Sequence, residues 1–428
     1  MPVFDRSALN PGVAPREVFA WAMYDFANSG YTTVVLTAVF NAYFVGAVAG
    51  NASWATLAWT LALAASSLLV MLSAPAIGAW ADAHGAKKRL LLVSTVGCVA
   101  GTVALSFAQP GTIALAVIAV IVSNYFFSLG EGLAAAFLPE LSRQEALGKV
   151  SGWGWSFGYF GGMLTLGLCL AIVLSAKAAG EPATAFVPST MLVTAAVFAL
   201  AAAPTFLLLK ERARGGEAAR AHGSTALQRL AHTWGESARF RDFRRLLVCG
   251  CSYQAGIAVV IALAAVYAEQ AMGFTQTQTM MLVFLVNIAS AAGAFLFGYA
   301  QDRVGHKRAL AWTLWGWVAM VAVASLGRSV DLFWLAATLA GLCMGSSQSC
   351  GRAMVGAMSP PERLAEFYGL WTFAVRLAAI VGPVTYGLVT WVTDGNHRLA
   401  IGITGLFFLA ALAVLRGIDV ERGIAAAR

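Results

Sequence analysis

Gly78-Ala-Trp-Ala-Asp82-Ala-His-Gly85-Ala-Lys87-Lys88 and Gly298-Tyr-Ala-Gln-Asp302-Arg-Val-Gly305-His-Lys307-Arg308 are the two stretches that decide how this sequence is read. Glycine, aspartate, glycine and two basic residues recur at a constant offset of 220 residues. Each copy follows the second long apolar run of its half of the chain. Five matched positions in the same topological place mark an internal duplication.

The rest of the chain explains what is duplicated. Of its 428 residues 59% are hydrophobic and 11% charged, against about 25% charged in a soluble domain. A bilayer core takes about 20 apolar residues per helix. Runs of that kind occupy 19–48, 55–80, 89–108, 111–138, 150–176, 188–209, 244–268, 276–300, 309–327, 331–358, 366–392 and 398–416. An even number of spans places both termini on one side. Twenty-three of the 28 Lys and Arg fall in the termini and the even-numbered loops, and only Lys177, Arg328 and Arg398 in the odd-numbered ones. By the positive-inside rule both termini are expected to be cytoplasmic in a multi-pass cytoplasmic (inner) membrane protein. The net charge of +8 is then topology and not a nucleic-acid footprint. The first apolar run is too long for a signal-peptide core, so no secretory leader is expected.

Residues 210–243 form the only sizeable polar segment between spans. It opens with Arg212, Arg214, Gly215 and Gly216, as a linker does. Further on, Leu227, Leu230 and Trp234 recur at helical spacing, which fits either a surface-lying amphipathic helix or a solvated linker. The segment divides the chain into 1–209, a central loop 210–243, and 244–428, with six spans on either side.

The repeated stretches resemble the loop 2–3 signature of the major facilitator superfamily, with its second copy in loop 8–9. Trp21-Ala-Met-Tyr24-Asp25-Phe-Ala-Asn28-Ser29-Gly-Tyr31 looks like the first-helix signature of the vacuole-effluxer-like branch, also called the unknown major facilitator family. Phe137-Leu-Pro139-Glu140-Leu, Ser151-Gly-Trp-Gly-Trp-Ser-Phe-Gly158-Tyr159-Phe-Gly161-Gly162 and Glu366-Phe-Tyr-Gly369-Leu resemble later blocks of that branch, in the right order. Gly130-Glu131-Gly132-Leu133 departs from the aromatic-and-Asn sequence usual before the second block. The resemblance implies an all-α membrane protein of twelve helices in two pseudo-symmetric bundles. Helices 1, 4, 7 and 10 would line a central cavity, with alternating access by rocking. The signature glycines allow close helix approach and a tight turn. Its aspartate can accept from helix N-terminal amides and pair with basic neighbours. Gly78, Asp82, Gly85, Lys87, Lys88, Gly298, Asp302, Gly305, Lys307 and Arg308 are therefore expected to form a cytoplasmic gate. The branch's fungal members are similar to amino-acid effluxers of the vacuole.

An ionisable residue inside a spanning helix is costly and is a candidate functional residue by default. Asp25, Glu131, Arg352 and Arg376 fit that description. At 1.5 Å per residue they lie roughly 9–15 Å from the cytoplasmic ends of their spans. Both acids belong to the first half of the chain and both cations to the second. Two uses are open. The four could line the cavity floor, where a carboxylate takes up a proton and an arginine grips a substrate carboxylate. Alternatively they could pair across the halves and close a gate, the reading favoured for Glu131 and Arg352, which lie nearer the surface. Asn28, three residues from Asp25, shares its helix face. Tyr253, Gln254 and Gln348 add polar groups on spans 7 and 10, although such groups also serve as interhelical glue. Trp155 and Tyr159 could form an aromatic wall.

Gly152-Trp-Gly154-Trp-Ser-Phe-Gly158 only superficially resembles a nucleotide loop, because its spacing is wrong and no βαβ context surrounds it. Gly154, Gly158 and Gly162 recur every four residues and make a smooth face for close packing. The six cysteines lie in apolar stretches without a CxxC pair and read as small buried hydrophobes. No metal, cofactor or enzyme chemistry is expected. The expectation is a monomeric secondary transporter, proton-coupled, for a small zwitterionic or anionic solute such as an amino acid. An exporter of amphipathic compounds and a non-transporting receptor or assembly factor are the alternatives. The topology is checked with C-terminal fusions. Green fluorescent protein at the C-terminus should fluoresce and alkaline phosphatase there should be inactive; the reverse pattern would invert the orientation.

Overall fold

The computed structural model describes residues 4–212, 240–274, 276–327, 329–394 and 396–428. Arg328 and the segment of Leu227, Leu230 and Trp234 lie outside the described residues. Twelve described helices are long and apolar enough to span a membrane. In the first half they are α1 (Pro15–Val48), α2 (Ala55–His84), α3 (Lys87–Leu105), α4 (Ile113–Leu141), α5 (Gln144–Ala178) and α6 (Ala183–Leu208). In the second half they are α7 (Arg241–Met272), α8 (Gln276–Val304), α9 (His306–Leu326), α10 (Val330–Ala357), α11 (Pro361–Val392) and α12 (His397–Arg416). A short helix α13 (Val420–Ala427) follows. Several helices begin a turn or more before the apolar runs do, because polar interfacial residues such as Arg241, Asp242 and Arg363 still adopt helical geometry.

Both chain ends lie at one face, called here the terminal face. The N-terminal segment bridges Leu9 to Ser142 at the α4–α5 junction. At the other end of the chain, the Lys307 ammonium donates to the carbonyls of Arg416 and Ile418. Asp242, at the start of α7, accepts from Arg422 of α13.

Local sequence shapes two elements that matter for the site. In α1 the run Thr32-Thr33-Val34-Val35 is β-branched and disfavours regular α-helix. The helix widens there into a π-helical stretch, Thr32–Ala38, and again at Phe44–Val48. The other element is the repeated signature. Asp82 and Asp302 lie in the last turns of α2 and α8, not in loops as the sequence suggested. Gly85 and Gly305 then turn the chain with φ of 56° and 88°, a region open to glycine at little cost.

The two bundles meet along α2 with α11 and α5 with α8. Both seams close on glycine at the terminal face. A side chain at Gly78 would collide with the Ala365 carbonyl, and one at Gly152 with the Ala294 carbonyl. Gly167, on the same α5, has nothing within 4 Å of its missing Cβ. In detergent, Gly78→Val is expected to lower thermal stability by about 1–3 kcal/mol through overpacking, while Gly167→Val changes little. Equal melting of the two variants would show that the seam tolerates the added side chain.

Candidate functional site

Each signature aspartate reaches across to a helix start in the opposite bundle. The Asp82 carboxylate accepts from the amides of Ala365 (3.1 Å) and Glu366 (2.9 Å) at the start of α11. The Asp302 carboxylate accepts from Gly148 (2.9 Å) and Lys149 (3.0 Å) at the start of α5. First-turn amides have no partner inside their own helix, and the helix dipole favours an anion there. Other bonds cross the seam as well, among them Ser151 Oγ to the Ser349 carbonyl (2.9 Å), Ser156 Oγ to the Ala291 carbonyl (3.0 Å) and Gln144 to the Ala357 carbonyl (3.2 Å).

The basic residues of the signature do something else. Lys87 is fully buried, pairs with Glu140 and lies over the Phe137 ring, all within the first bundle. Lys88 donates to the Leu209 carbonyl. Lys307 is tied to the end of α12, and Arg308 is exposed. No ion pair among the described residues joins these cations to Asp82 or Asp302; Lys87, Lys88 and Lys307 bond inside their own bundles instead. The Glu211 carboxylate accepts from the amides of Lys87 and Lys88, and burial raises it above the usual carboxylate range. Glu17 is buried against Arg212 at 2.8 Å.

Beneath this face lies a cavity of about 420 Å³. It runs from the four intramembrane charges toward Thr37 and Ile261, which are exposed at its far end. The charges are both cavity-lining and paired across the bundles. Arg352 donates to Asp25 at 2.6 Å, and Arg376 donates to Glu131 at 2.8 Å. The two pairs are unequal. Arg352 and Asp25 side chains are 8% and 13% exposed, whereas Glu131 is 39% exposed. Glu131 is thus the carboxylate more open to the cavity.

Arg352 is held on every side. Its Nε donates to Ser151 Oγ at 3.1 Å and Nη2 to the Ser151 carbonyl at 2.7 Å. The guanidinium lies over the rings of Trp21 and Trp155 at 4.7 and 5.3 Å. Gly154 makes the arrangement possible, because a side chain there would run into Asp25, Arg352 and Trp21. Gly158 and Gly162 lie in the same way against Ser29 and Thr33, so the glycine face of α5 packs on α1. Arg376 is held less completely. It stands 5.9 Å over the Phe127 ring, and its buried Nε has no hydrogen-bond partner among the described residues.

Asn28 lines the cavity with 6% exposure, and neither amide atom has a described partner. The Trp155 indole N–H is likewise buried without one. Gln254 and Gln348 line the cavity and bond each other at 2.6 Å. Tyr253 does not line it. Its side chain packs behind, against Gly351 and Trp371, because α7 presents Gln254 to the cavity. The lining is also broader than helices 1, 4, 7 and 10. Trp155 and Tyr159 of α5, Asn287 and Ser290 of α8, and Tyr368 and Thr372 of α11 contribute. Sequence reasoning overlooked Ser151, Trp21 and Tyr368, whose hydroxyl donates to the Arg352 carbonyl at 2.8 Å.

Asp25→Asn would leave Arg352 buried and partly unpaired, at a cost of about 3–5 kcal/mol. Glu131→Gln removes a half-exposed partner and is expected to cost about 1 kcal/mol or less. Thermal denaturation in detergent should rank the two in that order, and equal losses would refute the assigned asymmetry.

Comparison with known proteins follows the same lines. Residues 42–428 match the family model described as vacuole effluxer Atg22 like. The uncharacterised MFS-type transporter YxiO of Bacillus subtilis is 24% identical over 409 residues, covering 94% of each chain. Autophagy-related protein 22-1 of Aspergillus fumigatus is 23% identical over 302 residues, 64% of this chain and 48% of the fungal protein. Among solved structures, the human organic anion transporter MFSD10 superposes with a TM-score of 0.74 at 16% identity, covering 94% of this chain and 99% of that one. The major facilitator transporter FucP in its outward conformation gives 0.73 at 13% identity, covering 95% and 98%. At such identities the solved structures speak for the fold.

Proposed function

The chain belongs to the vacuole effluxer Atg22-like family and is a membrane transporter of the major facilitator type, not an enzyme, and we propose that it exports a small zwitterionic or anionic solute, such as an amino acid, by proton-coupled alternating access. One observation carries the proposal. Two acid–arginine pairs join the bundles at the cavity floor, beside an Asn28 amide with no described partner.

In this reading Arg376 takes the solute's carboxylate, for which its half-satisfied guanidinium is suited. Glu131, released from Arg376, takes a proton or the solute's ammonium group. Asn28 and the Trp155 N–H complete the polar contacts, while Gln254 and Gln348 close the opposite wall. Asp25 and Arg352 hold the bundles together beneath the solute. Asp82 and Asp302 act as the gate on the terminal face, with Gly78 and Gly298 allowing the approach. The terminal face is cytoplasmic in this proposal, in keeping with its excess of Lys and Arg. A cavity closed at the terminal face and open beyond it fits one state of the cycle.

A second reading has a specific observation in its favour. Both ion pairs are closed, and the second bundle lines the cavity with Val260, Ile261, Leu282, Phe333 and Met344. An amphipathic solute would use that wall and need no exchange of charges.

Flux measurements in proteoliposomes with an imposed pH gradient separate the two. Arg376→Ala is expected to lower amino-acid flux about 10–100-fold, the worth of a charge-assisted hydrogen bond. Glu131→Gln should remove the pH dependence of what remains. Survival of both flux and pH dependence would overturn the charged site. Unimpaired efflux of an amphipathic dye by Arg376→Ala would favour the second reading.

A further inference from the structure

Several buried amides and indoles of the spans bond within the protein. Asn124 Nδ2 donates to Ser66 Oγ at 3.0 Å, and Asn287 Nδ2 to the Val283 carbonyl at 2.8 Å. The Trp21 and Trp317 indoles donate to the Ala134 carbonyl and to Ser347 Oγ. Such bonds hold helices together. Asn28 is different. It is buried on the wall of the central cavity, and both Nδ2 and Oδ1 lack a partner among the described residues. Its neighbours along α1 are committed elsewhere. Asp25, one turn before, is taken by Arg352. Thr32, one turn after, turns its hydroxyl back to the Asn28 backbone carbonyl at 3.4 Å. Trp155 and Arg376, whose Nε1 and Nε are also without described partners, line the same cavity. A buried amide with neither half paired is costly, so its retention beside a solute cavity calls for a ligand that pairs it.

We propose that Asn28 is the specificity-determining residue of this cavity and selects 2-amino acids against 2-oxo acids. The inference rests on the carboxylate-bearing solute of the preceding subsection and fixes what that solute carries beside its carboxylate. A side-chain amide offers donors on one side and an acceptor on the other. A carboxylate only accepts. A solute with a donor on the next carbon satisfies both halves, the Asn28 N–H donating to the carboxylate and Oδ1 accepting from the ammonium group. An oxo acid presents two acceptors side by side, and one of them must face Oδ1. Turning the amide over moves the mismatch from one group to the other without removing it. The acceptor left unpaired in the buried site is what rejects the oxo acid. A 2-hydroxy acid keeps a donor but not the charge, and so falls between the two. Charge matching alone would separate the amino acid from both analogues but would not separate the hydroxy acid from the oxo acid.

Competition against valine flux in proteoliposomes tests the assignment, with 2-hydroxyisovalerate and 2-oxoisovalerate as the competitors. In the wild-type chain the hydroxy acid should compete about tenfold better than the oxo acid. In Asn28→Ala the two should compete equally. Asn28→Ser supplies a hydroxyl that turns to donate or to accept, and it should lose the preference while keeping valine flux. Asn28→Ala should also melt at or above the wild-type temperature in detergent, because the unpaired buried amide is gone. Equal competition by the two acids in the wild type would overturn the assignment, as would a preference that persists in both variants. Melting well below the wild type would show that the amide is bonded within the protein, and would overturn it too. Absence of valine flux from the wild-type chain would count against the proposed function itself and take this inference with it.

Discussion

Two carboxylates, each capping a helix that belongs to the other bundle, are the constraint on which the observed state depends. Asp82 satisfies amides at the start of α11, and Asp302 satisfies amides at the start of α5. A buried helix start needs partners for those amides, and a carboxylate beside the positive helix end is the strongest one a protein can supply. Both carboxylates take these partners from the opposite bundle. The glycines at Gly78 and Gly298 let the helices come close enough for the caps to form. Once both caps are made, the terminal face is closed and the space between the bundles remains as a cavity on the other side.

Such a seam is well suited to repeated opening. An apolar seam loses its stabilisation in full when water enters. Carboxylates, amides and guanidinium groups exchange one set of hydrogen bonds for another, so the net loss is small relative to the strength of each bond. The same reasoning applies at the cavity floor, where Arg352 is surrounded and Arg376 is not. A solute that replaces one partner of a half-satisfied ion pair costs less to admit than one that must break a fully satisfied one. This asymmetry is why Glu131 and Arg376 are the proposed exchangeable pair.

Much of this was legible in the sequence. The twelve spans follow from hydropathy, and the duplicated signature marks the two halves. The four intramembrane charges and Asn28 stand out because polar groups are expensive there. What was not legible is who meets whom. Asp25 and Arg352 are 327 positions apart, and Asp82 and Glu366 are 284 apart, so no local pattern encodes either pairing. Tyr253 was misplaced because hydropathy locates α7 but not its rotation. The π-helical widening of α1 is visible only as a β-branched run, which does not by itself fix the geometry. Trp21 and Ser151 lie in family-like stretches, but their contacts with Arg352 join residues far apart in sequence.

The dependence of the closed face on the two caps is most directly measured by electron spin resonance. Nitroxides on His84→Cys and Glu362→Cys, with the six native cysteines replaced, report the distance between the end of α2 and the start of α11. In the Asp82→Asn/Asp302→Asn background a longer-distance population should appear in liposomes that is absent from the otherwise native chain. An unchanged distance distribution would contradict the idea that these carboxylates hold the terminal face shut.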